Sequence, residues 1–324
     1  MKIGFLSNKL TLRGTEVNLY DYADFSESIL GHQSVILTRP YEHVLKVSPR
    51  DVHIEAYQKF QNRFPVVYYY NPWDILDLVK EHQIDILFIE KAGSTDDGLV
   101  FPSIPTIIHC VFTTKHPHGT LYTAISNFVN QDQGTNVPVL PNIVRVHPTT
   151  ENLRVELGIP QDAKVFGTYS GADEFTVDYV KEVVVSAPDD IYFIFLNVDI
   201  FCKKKNVIFL PGTANLEYKR KFINTCDAML YGRSGGETFG ISIGEYSVCN
   251  KPVIGRGGEK GRFHEDTLGE HMIKHTNYNE CFDIVTNWDK YKKDVSNNNY
   301  HQFSPENVMK IFGDLITPIE KTTK

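Results

Sequence analysis

Short apolar runs separated by amphipathic helical segments recur along this chain, and that pattern leaves few folds open to it. Lys2–Leu6, Ser34–Leu37, Val66–Tyr70, Ile84–Ile89, Thr106–Val111 and Leu121–Ile125 read as strands. Helical patterns such as Glu16–Leu30 and Pro72–His82 lie between them. A strand that is apolar throughout is buried on both faces, which indicates a parallel sheet covered by helices. The pattern then restarts with Lys164–Thr168, Ile191–Leu196, Val207–Leu210, Ala228–Tyr231 and Pro252–Ile254. The expectation is an α/β fold of two Rossmann-like doubly wound domains, residues 1–145 and 146–302, facing a central cleft. Their link is "PNIVRVHPTTENLRVELGIPQD", in which "TTENLRVELGI" reads as a short capped helix. Residues 303–324 read as a C-terminal helix, with Val308, Ile311, Phe312 and Leu315 at helical spacing after a Ser-Pro-Glu start.

The bulk numbers agree with two domains. A chain of 324 residues suits two units of about 150. A formal charge of −7 argues against nucleic-acid binding, which needs a basic footprint. Two basic clusters, Lys203–Lys205 and Lys219–Lys221, read as a solvated loop and a solvated helix face. The five cysteines form no C-x-x-C pair and suit reduced thiols, so a cytoplasmic location is expected. "MKIGFLSNKL" reads as a first strand rather than a signal peptide, and no run approaches 18 apolar residues. No transmembrane segment is expected, which leaves peripheral membrane contact open. There is no D-x-D pair to hold a divalent cation and no G-x-x-x-x-G-K-[ST] loop. His116 and His118 lack Cys or Asp partners and read as loop residues, so no metal is expected.

The stretch "GRSGGETFGISIGEYS" concentrates the chemistry. Glu237 reads as the mouth of a helix and Glu245 as two turns in, a rise of about 12 Å with a rotation of about 80° from the starting direction. Two carboxylates so placed reach opposite ends of one extended ligand, and each is a good partner for paired sugar hydroxyls. Gly235, Gly236 and Gly240 let backbone amides approach closely, and the helix N-terminus favours a diphosphate. Ligands of doubly wound sheets sit at strand C-terminal ends, where anions are favoured. The alternative for both glutamates is plain helix charge.

"DAMLYGRSGGETFGISIGEYSVCNKPVIGRGG" resembles the C-terminal motif of glycosyltransferase family 4, a retaining family of the GT-B fold. The matching residues are Glu237, Phe239-Gly240, Glu245 and Pro252-Val253. "LTLRGTEVNLYDYA" is similar to the family's glycine loop and first helix, with Gly14 as the loop glycine. "TIIHCVF" places His109 where the family often has a histidine, and "YTAISNF" and "VLPNIV" are similar to further family segments through Ser126 and Asn142. The resemblance spans residues 1–265 and implies sugar transfer from a nucleotide-diphosphate donor to a glycan or small hydroxyl acceptor, with anomeric retention.

On that resemblance Glu237 and His109 take the catalytic positions. Gly14, Thr15, Arg233, Glu237, Thr238, Phe239, Gly240, Ile241 and Glu245 bind the donor, with Glu245 on the ribose and Glu237 on the transferred sugar. The nucleotide sugar is a co-substrate, and no cofactor or metal is implied. The first domain carries the acceptor, among Lys91–Ser94 and His109–His118, and the tail helix packs back on it. The base is expected near Thr213–Leu216. For His109 the alternative is a satisfied core side chain.

One departure stands out. The family's arginine and lysine after the first strand of the second domain are absent from "FGTYSGADEF". Arg233 is the first substitute, with a loop-holding salt bridge as its alternative; Arg256, Lys260 and Arg262 follow. A nucleotide-sugar 2-epimerase and a non-catalytic nucleotide-sugar binder share this fold and stand as rival readings.

Overall fold

The structure is a computed structural model that describes residues 1–258 and 261–323. The chain divides into two compact units: Met1–Ile143 together with the chain from Phe303, and Val144–Gln302.

The first unit contains β1 (Lys2–Leu6), α1 (Gly14–Ser28), β2 (Gln33–Thr38), α2 (Tyr41–Val47), α3 (Ile54–Gln61), β3 (Val66–Tyr68), α4 (Asp74–Glu81), β4 (Ile86–Lys91), β5 (Thr106–Cys110), β6 (Leu121–Ala124) and α5 (Asn127–Gln133). The second contains β7 (Lys164–Tyr169), α6 (Asp178–Ser186), β8 (Ile191–Leu196), β9 (Val207–Leu210), α7 (Leu216–Thr225), β10 (Ala228–Leu230) and β11 (Gly236–Glu237). It continues with α8 (Ile241–Val248), β12 (Val253–Arg256), β13 (Gly261–Arg262), α9 (Phe263–Leu268), β14 (Met272–His275), α10 (Tyr278–Thr286) and α11 (Trp288–Tyr291). Helix α12 (Pro305–Thr323) belongs to the first unit.

Each unit is built on a six-stranded sheet, ordered β3-β2-β1-β4-β5-β6 in the first and β14-β12-β10-β7-β8-β9 in the second. Every strand pair in both is parallel. The strand order reverses between β1 and β4 in the first sheet and between β7 and β10 in the second. At such a switch point the connections leave in opposite directions and open a crevice at the strand C-terminal ends. The parallel sheets follow from strands buried along nearly their whole length, such as β1, β5 and β8. Phe166, Phe193, Phe195, Val183 and Trp288 lie in one core of the second unit.

Three details differ from the sequence reading. "TTENLRVELGI" forms a turn, not a helix: Leu157 N–H bonds Leu153 O, and Gly158 closes it at φ 66°. Arg154 fixes that turn by donating to the carbonyls of Pro160, Gln161 and Ala163. Strand β14 is short and carries an exposed lysine in its middle, so it lacks a continuous apolar run. In α12 the buried face is Val308, Met309, Phe312, Ile316 and Ile319, whereas Ile311 is 37% exposed. Phe312 packs edge-on against Tyr22 and Phe88, with ring centroids 5.4 and 5.9 Å away. Among the described residues no helix is long and apolar enough to cross a membrane.

Candidate functional site

The second sheet's switch point is where the conspicuous residues of the sequence meet. Strand β7 ends on Tyr169, and Tyr231 follows the end of β10. Each tyrosine holds one of the two glutamates. The Tyr169 hydroxyl donates to Glu245 Oε2, and the Tyr231 hydroxyl donates to Glu237 Oε1 at 3.2 Å. The neighbouring strands that define the crevice therefore position both carboxylates.

The chain leading to Glu237 is shaped by close packing. Gly232 lies against Phe175: a Cβ there would come within 2.3 Å of the ring, so no larger residue fits without moving it. The Gly232 carbonyl accepts from the amides of Thr176 and Val177, which ties the loop after β7 to the loop after β10. Glu237 then pairs with Arg262 in the short β11–β13 ladder. Gly240, at φ 81°, turns the chain into α8 in a conformation that side chains disfavour.

This corrects the expected helix geometry. Glu237 lies in a strand, α8 begins at Ile241, and Glu245 is in its first turns. The separation of the glutamates is set by a strand and a glycine turn, because β13 captures the Glu237 backbone before the helix starts.

The electrostatics of the two carboxylates differ. Glu245 is buried, and its second oxygen accepts from Lys219 Nζ at 2.6 Å. Lys219 also lies over the Tyr169 ring, 5.3 Å from its centroid, and that ring stacks on Tyr246. Glu237 keeps 18% of its side chain exposed and accepts from Arg233 Nη1 at 3.1 Å. Arg233 Nε binds Glu174 at 2.7 Å, so one guanidinium serves two carboxylates. Burial pushes the Glu237 carboxyl above its ordinary value, while Arg233 and the Tyr231 hydrogen bond act in the opposite sense.

The other expected donor residues divide by placement. Phe239 is buried and stacked on Phe263, and its carbonyl accepts from Tyr300. Its side chain is therefore core, which leaves its backbone and that of Thr238 and Ile241 at the start of α8. Gly14 and Thr15 begin α1 after β1, beside the switch point of the first sheet, and Gly14 is exposed. The Thr15 hydroxyl donates to Glu16. Arg256 ends β12 and Arg262 ends β13. Lys260 lies outside the described residues.

His109 is placed otherwise than expected. It is 0% exposed in β5, donates from Nε2 to Leu140 O at 2.7 Å, and lies 3.5 Å from Glu90 through Nδ1. Tyr22 and Phe88 pack on the ring, each with centroids 5.6 Å away. The ring has no exposed surface, which fits the core alternative for His109. In the proposed acceptor region, Lys91 is buried and its ammonium binds Asp97 at 2.6 Å and lies 3.3 Å from His118 Nε2.

The sequence reading missed Tyr169, Glu174, Lys219 and Tyr231. The two tyrosines were discoverable as the last residues of β7 and of the apolar run Ala228–Tyr231. Lys219 belongs to the cluster read as a solvated face, and that reading fails for Lys219, whose partner is buried, while Arg220 and Lys221 make surface pairs with exposed partners. Lys219 binds Glu245, Arg220 binds Glu217 and the carbonyls of His147 and Pro148, and Lys221 binds Glu151. Among the described residues, no three His, Cys, Asp or Glu side chains gather as a metal site.

No family model matches the chain, and no curated protein matches it. Solved structures do. Anabaena HepE in complex with UDP-glucose is 17% identical, with 99% of this chain and 100% of that one covered at a TM-score of 0.71. Sucrose-phosphate synthase from Thermosynechococcus elongatus is 10% identical over 99% and 100%, at 0.68. A putative UDP-N-acetylglucosamine 2-epimerase from Listeria monocytogenes is 10% identical over 99% and 97%, at 0.59. With two parallel six-stranded sheets of doubly wound topology, the chain has the GT-B fold of nucleotide-sugar glycosyltransferases.

Proposed function

We propose that this chain is a retaining glycosyltransferase, similar to family 4, that moves a sugar from a nucleotide-diphosphate donor to a hydroxyl of a glycan or small acceptor. One observation carries the reading. At the switch point of the second sheet, the ends of two adjacent strands present a tyrosine apiece, and each tyrosine holds one glutamate of the E-x7-E pair. The solved HepE complexes with UDP-glucose, and with UDP and glucose, support a nucleotide-sugar donor.

In this reading Glu245 accepts from the ribose hydroxyls and Glu237 from hydroxyls of the transferred sugar. The bond from the anomeric carbon to the diphosphate oxygen breaks, and the diphosphate leaves with the electron pair. The acceptor oxygen bonds that carbon on the same face, and its proton passes to the departing phosphate. Backbone amides at Phe239 and Gly240 stabilise the charge developing on the diphosphate. The first unit carries the acceptor. No metal takes part, and the enzyme works in the cytoplasm.

The test is incubation with a panel of nucleotide sugars and glycan acceptors in excess EDTA, followed by NMR of the product anomer. A new glycosidic bond of unchanged configuration is expected. Turnover restored only by Mn²⁺ or Mg²⁺ would contradict the metal-free step, and an inverted product would contradict retention. An epimerised nucleotide sugar would favour the epimerase reading, whereas binding without turnover would favour a non-catalytic binder.

A further inference from the structure

Tryptophan is highly buried on average, yet Trp73 is 79% exposed, and Tyr70 close by in the chain is 58% exposed. Both stand in the turn between β3 and α4, at the carboxyl edge of the first sheet. The backbone of this turn is fixed. Asp74 Oδ2 accepts from the amides of Tyr70 and Asn71, each at 2.9 Å, and Asp74 N–H bonds Asn71 O. Tyr69 anchors it from inside: its side chain is buried, and its hydroxyl donates to Asn8 Oδ1 at 2.7 Å. The His43 and Tyr70 rings meet at 81° with centroids 5.8 Å apart, which braces the turn against the start of α2.

The chemistry around these rings selects an occupant. Residues 68–77 contain Asn71, Asp74 and Asp77 and no lysine or arginine. Arg39, which follows β2, lies over the buried Tyr69 ring. An anionic bilayer or a polyanion would meet carboxylates in this turn without a cation. A purely apolar partner would cover the exposed Asn71 and Asp77 and strip them of water. A neutral sugar suits both parts. The C–H bonds of one pyranose face are weakly positive and lie well on the negative face of an aromatic ring, while the hydroxyls donate to carboxylate and amide oxygens. We infer that Trp73 and Tyr70 form a stacking platform for neutral sugar units of a glycan, at the carboxyl edge of the first unit's sheet. As an acceptor platform it rests on the proposed transferase reading, and it makes that acceptor an oligosaccharide rather than a small alcohol.

The experiment labels the full chain with 5-fluorotryptophan, which gives one fluorine resonance for each of the two tryptophans, Trp73 and the buried Trp288. Trp73→Phe assigns them. Maltohexaose, cellohexaose and chitohexaose are titrated to about 10 mM. At least one should shift the Trp73 resonance and leave that of Trp288 in place. By calorimetry, Trp73→Ala and Tyr70→Ala should weaken that sugar about tenfold and Trp73→Phe less than about threefold, with UDP affinity unchanged in all three. A Trp73 resonance unmoved by every hexasaccharide, or sugar binding unchanged in Trp73→Ala, overturns the inference. So does Trp73-dependent pelleting with vesicles of phosphatidylcholine and phosphatidylglycerol in place of a sugar response, or a dimer that Trp73→Ala dissociates. Sugar binding through Trp73 without transfer from any nucleotide sugar would overturn the functional reading alone. Transfer to small alcohols by a protein whose Trp73 ignores all three sugars would overturn this inference alone.

Discussion

Replacing Glu245 by glutamine keeps its shape and removes its charge. The carboxylate is almost wholly buried, with Lys219 Nζ 2.6 Å from one oxygen and the Tyr169 hydroxyl on the other. Breaking one side of a buried ion pair costs roughly 3–5 kcal/mol, because the remaining charge loses its partner. The residual exposure of Lys219 lets water compensate in part and favours the low end. For a domain of this size each kcal/mol moves the midpoint by about 2–4 °C, so the second unit should melt roughly 6–12 °C lower. Scanning calorimetry at low salt reads this directly. Glu245→Leu combined with Lys219→Met should recover most of the loss, since apolar replacement of a whole buried pair is often neutral. Tyr169 would still lack its acceptor, a cost of about 1 kcal/mol. A single-variant shift below 2 °C, or a double variant less stable than either single one, would refute this account of the pair.

Three further outcomes are expected. His109→Gln should leave kcat within about threefold while lowering stability by roughly 1–3 kcal/mol in denaturant titrations; a 10²-fold or larger loss of kcat would restore a catalytic role. Burial pushes His264 and His275 down to about 4, so the stability their neutral forms support is complete above pH 6.5 and lost as pH falls towards 4. The loss should reach roughly 3 kcal/mol each at 1.36 kcal/mol per unit, and His264→Leu should flatten its share of the stability-versus-pH curve. Gly240→Ala places a Cβ 3.2 Å from Glu237 Cγ at φ 81°; it should cost about 1–2 kcal/mol and lower turnover further by shifting that carboxylate, as steady-state rates would reveal.

How much of this was legible beforehand depended on the range of the interactions. The apolar runs of β1 and β8 declare themselves because burial on both faces leaves no room for polar residues. β14 does not, since one of its four residues is an exposed lysine. Glu237 and Glu245 stood out through their spacing and the glycines around them, yet their geometry was misjudged. Nothing local announces that Gly261, 24 residues beyond Glu237, joins a ladder at Gly236. Lys219 looked solvated because its partner is 26 residues away, and Glu174 reaches Arg233 only once Phe175 has packed on Gly232. His109 shows the converse: a motif position fixed its strand end, while its exposure was decided by Tyr22, Phe88 and Leu140 from elsewhere in the unit.

The central claim is that the glutamate pair at the second sheet's switch point grips two ends of one nucleotide sugar. The most direct measurement is calorimetric titration of the nucleoside diphosphate into the unaltered protein, Glu245→Gln and Glu237→Gln, at a temperature where circular dichroism shows all three folded. Loss of a charge-assisted hydrogen bond to the ribose should weaken the diphosphate in Glu245→Gln by roughly 10- to 150-fold, from about 1.5–3 kcal/mol. Glu237→Gln should bind it within about threefold of the unaltered protein, because the sugar that Glu237 holds is absent from this ligand. Unchanged affinity in Glu245→Gln, or equal losses in both variants, would contradict the account.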